Sequence, residues 1–245
     1  MLDVNGWTVF WAALITALAT GLGALPFFLV RSFPSHWLGI FNAAAAGLML
    51  GASHSLINEA LGISFPQLLT GLVIGVLAIQ FGYNRLADDH HHMVDMLRSS
   101  GGMKAMMIVG VMTLHSFAEG VGVGVSFAGS QGLGQFITAA IAVHNIPEGL
   151  AISLVLVPRG TSPLKAGLWS IFSSLPQPLM AVPAFLFVTV FSQFLPAGLG
   201  LAAGAMLWMA FAELIPDAMH EISSHTTATV VALSFAAMIG FQALL

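Results

Sequence analysis

The chain has 245 residues, 58% of them hydrophobic and 7% charged, with a mean hydropathy of +0.94 and a formal net charge of −4. Soluble globular domains carry about 25% charged residues, so a soluble domain is excluded, as is a basic surface for nucleic acid. Cysteine is absent, which excludes disulfides and thiolate ligands and leaves nitrogen and oxygen as the donors for any metal.

A helix needs about 20 predominantly apolar residues to cross a bilayer. Hydropathy predicts eight such spans, at roughly 8–30, 38–58, 65–84, 105–128, 134–157, 164–190, 196–216 and 226–245. None shows the alternation of a membrane β-barrel. The expected fold is an all-α polytopic membrane protein, with a single transmembrane domain over 1–245. Its start, Met1-Leu2-Asp3-Val4-Asn5-Gly6-Trp7, contains an acid and no basic n-region, so the first run reads as an uncleaved span rather than a signal peptide. Trp7, Trp11 and Trp37 fall near span ends, where an aromatic belt is expected.

The six basic residues orient the chain. Arg31 follows span one, Arg85, Arg98 and Lys104 lie between spans three and four, and Arg159 and Lys165 lie between spans five and six. With eight spans these loops share one side, and positive loops mark the cytoplasm. Both termini are expected outside. The compact loops suit a bacterial inner membrane.

Span two carries His54, Asn58 and Glu59 near its outer end. Glu59 is placed to attract cations, and His54 reads as a hydrogen-bonded core residue. The longest loop, about 85–104, holds Asp88, Asp89, His90, His91, His92 and Asp95. His-rich tracts bind metal, and this one reads either as a cytoplasmic metal-binding run or as a solvated loop.

Spans four and five contain one motif twice: His115-Ser116-Phe117-Ala118-Glu119-Gly120 and His144-Asn145-Ile146-Pro147-Glu148-Gly149. Positions i and i+4 share a helix face, so each copy directs an imidazole and a carboxylate the same way. The short connection near Ser130, Gln131 and Gly132 makes the spans antiparallel neighbours. Reflection about it sets His115 opposite Glu148 and Glu119 opposite His144, in two layers about 6 Å apart. Both motifs sit near mid-span, where transporters hold substrate. Pro147 predicts a kink, and Gly120, Gly122 and Gly124 a flat packing face.

Charge decides what the motif is for. An ionisable group at mid-membrane costs about 2.5–3.5 kcal/mol on insertion scales and is usually functional. No Lys or Arg lies in either motif. A divalent cation neutralises both carboxylates and accepts both imidazoles. The donors suit Zn²⁺, Fe²⁺ or Mn²⁺, two imidazoles favouring Zn²⁺, and differ from the all-oxygen cages of Ca²⁺ and Mg²⁺. The bland alternative is a set of buried polar residues that bind helices together.

In span seven, Glu213, Asp217, His220 and Glu221 follow one helical face at the cytoplasmic end. They read as an exit relay that binds metal, or as a solvated face. Gly47-Leu48-Met49-Leu50 with Leu56-Ile57-Asn58-Glu59-Ala60 in span two matches Gly204-Ala205-Met206-Leu207 with Leu214-Ile215-Pro216-Asp217-Ala218 in span seven. The two spans run in opposite directions, which points to an inverted repeat; chance matches in Gly/Ala/Leu-rich sequence are the alternative.

His144-Asn145-Ile146-Pro147-Glu148-Gly149 resembles the signature of the ZIP (Zrt/Irt-like) family of divalent metal-ion transporters, and the first copy resembles the family's related motif in helix four. The resemblance covers essentially the whole chain. It implies a transport domain in which helices 1–3 and 6–8 form an inverted repeat around helices 4 and 5, with elevator-like sliding of helix groups in some members. The implied activity is uptake of Zn²⁺ and related ions toward the cytoplasm. Carried over, His115, Glu119, His144 and Glu148 form the main metal site. Some members hold a second ion, with Asn common at position 116, a polar or acidic group at 145 and a Glu of helix six at 177. Here Ser116, Asn145 and Gln177 stand there, which implies a second site that is weak or absent. Ala118 replaces a frequent Pro, implying a straighter helix four.

The competing function is an intramembrane metal-dependent hydrolase, although His-Glu-x-x-His is absent; a structural metal site is a third reading. Expected partners are metal ions (Zn²⁺, with Fe²⁺, Mn²⁺ and Cd²⁺ as further candidates) and the lipid bilayer, with a homodimer as an option. No nucleotide loop is present, and no organic cofactor or enzymatic activity is expected.

Overall fold

The computed structural model describes residues 4–30, 34–96 and 102–243, with side chains described except at 35, 86–96, 102–108 and 111. Among these residues the fold is all-helical. The first span is α1 (Gly6–Gly21) continued by a 3₁₀ segment (Leu22–Phe28); then come α2 (Ser35–Leu61), α3 (Phe65–Met96), α4 (Gly102–Gly129) and α5 (Gln131–Leu156). Span six is α6 (Pro163–Ser174) and α7 (Pro176–Val190), span seven is α8 (Leu195–Met209), a π-helical turn (Ala210–Leu214) and α9 (Ile215–Glu221), and span eight is α10 (Ser224–Gln242). Among the described residues seven helices are long and apolar enough to cross a membrane, and α4 is the eighth long helix.

Caps set several helix starts. Asn5, Ser130, Ser162 and Ser223 each accept the N–H three residues on, satisfying a donor that the first turn leaves open. Gly160 closes the end of span five with φ 93°, a left-handed conformation that favours glycine.

Two expectations about helix limits change. The loop expected at 85–104 is largely helix, because α3 continues to Met96. Hydropathy marks where lipid ends, and a helix of Asp and His can run on into water. Span six, read as one helix, is interrupted at Leu175. Pro176 and Pro178 lack N–H groups, and Leu175 instead donates to Phe172 O at 3.2 Å.

Close backbone approaches define which helices pack as units. A Cβ at Gly71 or Gly75 of α3 would overlap the α8 backbone at Ala197 or Leu201, and one at Gly200 or Gly204 of α8 would overlap α3 at Leu68 or Leu72. Gly47 seats α2 against the α10 backbone at Val231 in the same way, and Gly51 makes room for the Met238 side chain. Gly120 and Gly124 seat α4 against Gln177 and Ala181 of α7, while Gly23 and Gly149 join the 3₁₀ segment to α5. Small residues drive such contacts in lipid, where there is no hydrophobic effect between helices. The three glycines expected to share a face of α4 do not: Gly122 points to Ala202 of α8, 3.6 Å from its Cβ, because residues i and i+2 do not share a helix face.

His54, expected in the core, is exposed and meets the ring of Phe235 edge-on at 6.2 Å. Trp7, Trp11 and Trp37 are exposed, as an interfacial belt requires.

Candidate metal centre

Ser130 alone connects α4 and α5. That tight hairpin holds the two motifs at one depth. His115, Glu119, His144 and Glu148 are all buried, and each offers a ligand atom within 4.8 Å of the others. The cross-helix pairs are those expected from reflection: His115 Nε2 lies 3.3 Å from Glu148 Oε1, and His144 Nε2 lies 3.5 Å from Glu119 Oε1. The two-layer arrangement does not hold. Glu148 Oε1 also lies 3.1 Å from His144 Nε2, and the rings stack at 6.0 Å and 20°. The side chains reach across the layer spacing to one centre.

The imidazoles are oriented from behind. His144 Nδ1 faces the carbonyl of Ala45 at 3.3 Å. His115 Nδ1 stands 3.0 Å from Glu213 Oε2. Outer contacts of this kind leave Nε2 free to bind metal. His115 Nε2 and Glu119 Oε1 are buried without a hydrogen-bond partner. Unpaired buried polar atoms are costly, and a cation placed between these two would supply the missing interaction.

The three residues considered for a second ion form a different structure. Gln177 Nε2 donates to Glu119 Oε2 at 2.6 Å. Gln177 Oε1 accepts from Asn145 Nδ2 at 3.2 Å and from the Thr16 hydroxyl. Asn145 Nδ2 also donates to Thr16 O at 2.8 Å. Ser116 is fully buried, and its Oγ has no hydrogen bond. Thr16 was not singled out from sequence, since a Thr in an apolar run carries no distinguishing signal.

Span seven departs most from expectation. Glu213 stays close enough to Asp217 to act on its carboxyl through charge, but its side chain is 12% exposed and also reaches His115 of the main centre, whereas Asp217, His220 and Glu221 are exposed on α9. The π turn is the cause. Pro216 has no N–H for the carbonyl of Ala212, and Ile215 N–H bonds back five residues to Ala210 O. The extra residue rotates Glu213 inward, as π-bulges at functional sites often do. An acid inside the apolar run Ala210-Phe211-Ala212-Glu213-Leu214, just before a proline, was the available signal. Asp89, His90, His91 and His92 fall on α3, with side chains outside the described residues.

On the Ser130 side of the centre, a cleft beside His144 is lined by Leu48, Met49, Ala52, Ala140, Ile141 and Met206, and it is too narrow to admit water. On the opposite side Glu213 is partly exposed and Asp217 more so.

The ZIP zinc transporter family model matches residues 82–245. "Zinc transporter GufA" of Myxococcus xanthus is 33% identical over 84% of this chain and 86% of its own length. "Zinc transporter ZIPB" of Bordetella bronchiseptica is 32% identical over 86% of this chain and 72% of its own. "Putative zinc transporter At3g08650" of Arabidopsis thaliana is 51% identical over 94% of this chain, which spans only 38% of that longer protein.

Proposed function

The chain belongs to the ZIP zinc transporter family, and from that premise we propose that it is a permease carrying Zn²⁺ toward the cytoplasm through the His115, Glu119, His144 and Glu148 centre. The hydrolase alternative falls away, because this is a family of transporters. One observation carries the site assignment: four buried ligand side chains converge within 4.8 Å with no Lys or Arg among them. Two imidazoles and two carboxylates match the donor preference of Zn²⁺. Fe²⁺, Mn²⁺ and Cd²⁺ are further cargo for the same donors.

A single well-bound ion is the reading the Gln177 network supports. The amide that donates to Glu119 Oε2 occupies one oxygen with a neutral donor, and Gln177, Asn145 and Ser116 add no charge to hold a second cation. The whole of 1–245 acts as one transport domain in this reading. Exposed acids Asp217 and Glu221 with His220 give an exit path, and His90, His91 and His92 a cytoplasmic capture run.

The glycine-seated contacts support two helix groups that move against each other. α2, α3, α8 and α10 form one; α1, α4, α5, α6 and α7 form the other. The pairs α2 with α10 and α3 with α8 exchange under an inverted repeat of helices 1–3 with 6–8. The basic residues favour both termini outside, in a bacterial inner membrane. A homodimer is an option only: α10 is largely uncovered, and lipid satisfies that face as well as a second copy does.

The test is Zn²⁺ flux into sealed proteoliposomes carrying an internal Zn²⁺-sensitive dye, for the native chain and Glu148→Ala. Uptake by the native chain that the folded variant loses is expected. No uptake of Zn²⁺, Fe²⁺, Mn²⁺ or Cd²⁺ by the native chain under any gradient sinks the reading.

A further inference from the structure

We propose that Glu213 is a positioning residue for the metal centre: from the opposite helix group it holds the imidazole of His115 with Nε2 turned to the ion. The inference rests on the proposed metal-carrying role of that centre.

Glu213 Oε2 is buried and has no hydrogen bond to any other described group, and a carboxylate oxygen removed from water needs a donor. His115 Nδ1, at 3.0 Å, is the nitrogen in reach. The carboxylate meets the distal nitrogen of the ring, while Nε2 faces Glu148. Glu213 itself is not among the four residues whose ligand atoms lie within 4.8 Å of one another. This is the carboxylate–histidine–metal relay, in which the outer carboxylate fixes the tautomer and orientation of a ligand and raises its basicity.

His115 belongs to α4 and Glu213 to the turn between α8 and α9, so the contact crosses between the two helix groups. His144 is treated alike, with Nδ1 at the Ala45 carbonyl of α2. Glu119, by contrast, is held by Gln177 of its own group. Ligand orientation at both imidazoles therefore depends on the register of one group against the other. Displacement of that register releases both rings from their rear supports while the four ligands stay together on α4 and α5. Loss of an outer-shell partner costs about 10–100-fold in metal affinity, which is the scale needed to turn a binding site into a releasing one.

The test uses purified full-length chain: native, Glu213→Gln and Glu213→Ala. Co²⁺ binding is followed by its visible absorption, Zn²⁺ affinity by competition, and thermal unfolding checks the fold. Gln keeps an oxygen to accept the Nδ1 proton; Ala removes it. Expected is a loss of about 10–100-fold in affinity for Glu213→Ala with an altered Co²⁺ spectrum, and near-native affinity and spectrum for Glu213→Gln. Unchanged affinity in Glu213→Ala overturns the proposal. An equal loss in both variants, with a Co²⁺ spectrum showing one ligand fewer, overturns it in favour of direct ligation. If the Glu213→Ala chain does not fold, Glu213→Leu, which also removes the acceptor oxygen but fills the space, takes its place with the same two outcomes. A native chain that binds neither ion overturns this proposal and the transport reading together, whereas native binding and flux with indifferent variants overturn this one alone.

Discussion

Gln177 gives an N–H to Glu119 Oε2 across 2.6 Å while its carbonyl oxygen takes one from Asn145. The amide ties α7 to both α4 and α5. By the family resemblance, position 177 is also where a carboxylate is expected in members that hold a second ion.

Gln177→Glu exchanges that donor for a charge. The variant is expected to bind more than one Zn²⁺ per chain by elemental analysis of purified protein, and the native chain one. Identical stoichiometry in the two would show that charge at position 177 does not limit occupancy. Gln177→Ala should instead leave Glu119 Oε2 without its donor, a cost of about 1–3 kcal/mol, visible as a lowered unfolding midpoint.

Gly149 ends the second motif, and a Cβ there would overlap the carbonyl of Thr20. Gly149→Val is expected to push the first span away from α5 and destabilise the chain by about 1–3 kcal/mol, with metal binding lost through displacement of Glu148. Thermal unfolding and Co²⁺ absorption measured on one sample check both effects. Gly132→Val, where no atom lies within 4 Å, is the control and should change neither.

The chain contains no cysteine, so single cysteines report access directly. Ala52→Cys, in the closed cleft beside His144, should resist a membrane-impermeant maleimide without a metal gradient. Asp217→Cys, on the exposed face of α9, should react rapidly, and only from the cytoplasmic side. Labelling of position 217 from outside intact cells would reverse the proposed topology.

Replacement of Asp88, Asp89, His90, His91 and His92 by Gly and Ser is expected to alter the rate and metal response of uptake without abolishing it. Complete loss of flux with intact folding would make the run part of the path rather than an accessory to it.

The helical class, the spans and the doubled motif were legible because each depends on local sequence: hydropathy over a span, or an i, i+4 spacing. The pairing of His115 with Glu148 could be read from symmetry about Ser130, since a short hairpin leaves little freedom of register. What could not be read depends on backbone irregularity. Glu213 reaches His115 from a π turn just before Pro216, whereas regular helical periodicity showed only its grouping with Asp217 and Glu221. The break at Leu175 was missed for a similar reason. Hydropathy sees Ser174, Leu175 and Pro176 as one apolar run, while the missing N–H groups end one helix and start the next. His54 was misplaced because a lone polar residue in a span carries no sign of which way it faces.

The single-residue connection at Ser130 has a mechanical consequence. A cage whose four walls stand on one hairpin cannot open by sliding one arm past the other, because neither arm can travel along its axis without dragging its neighbour. In the proposed permease the ion and its cage would therefore travel as one piece of freight, and unloading would depend on what the surrounding shaft does to the freight at each landing.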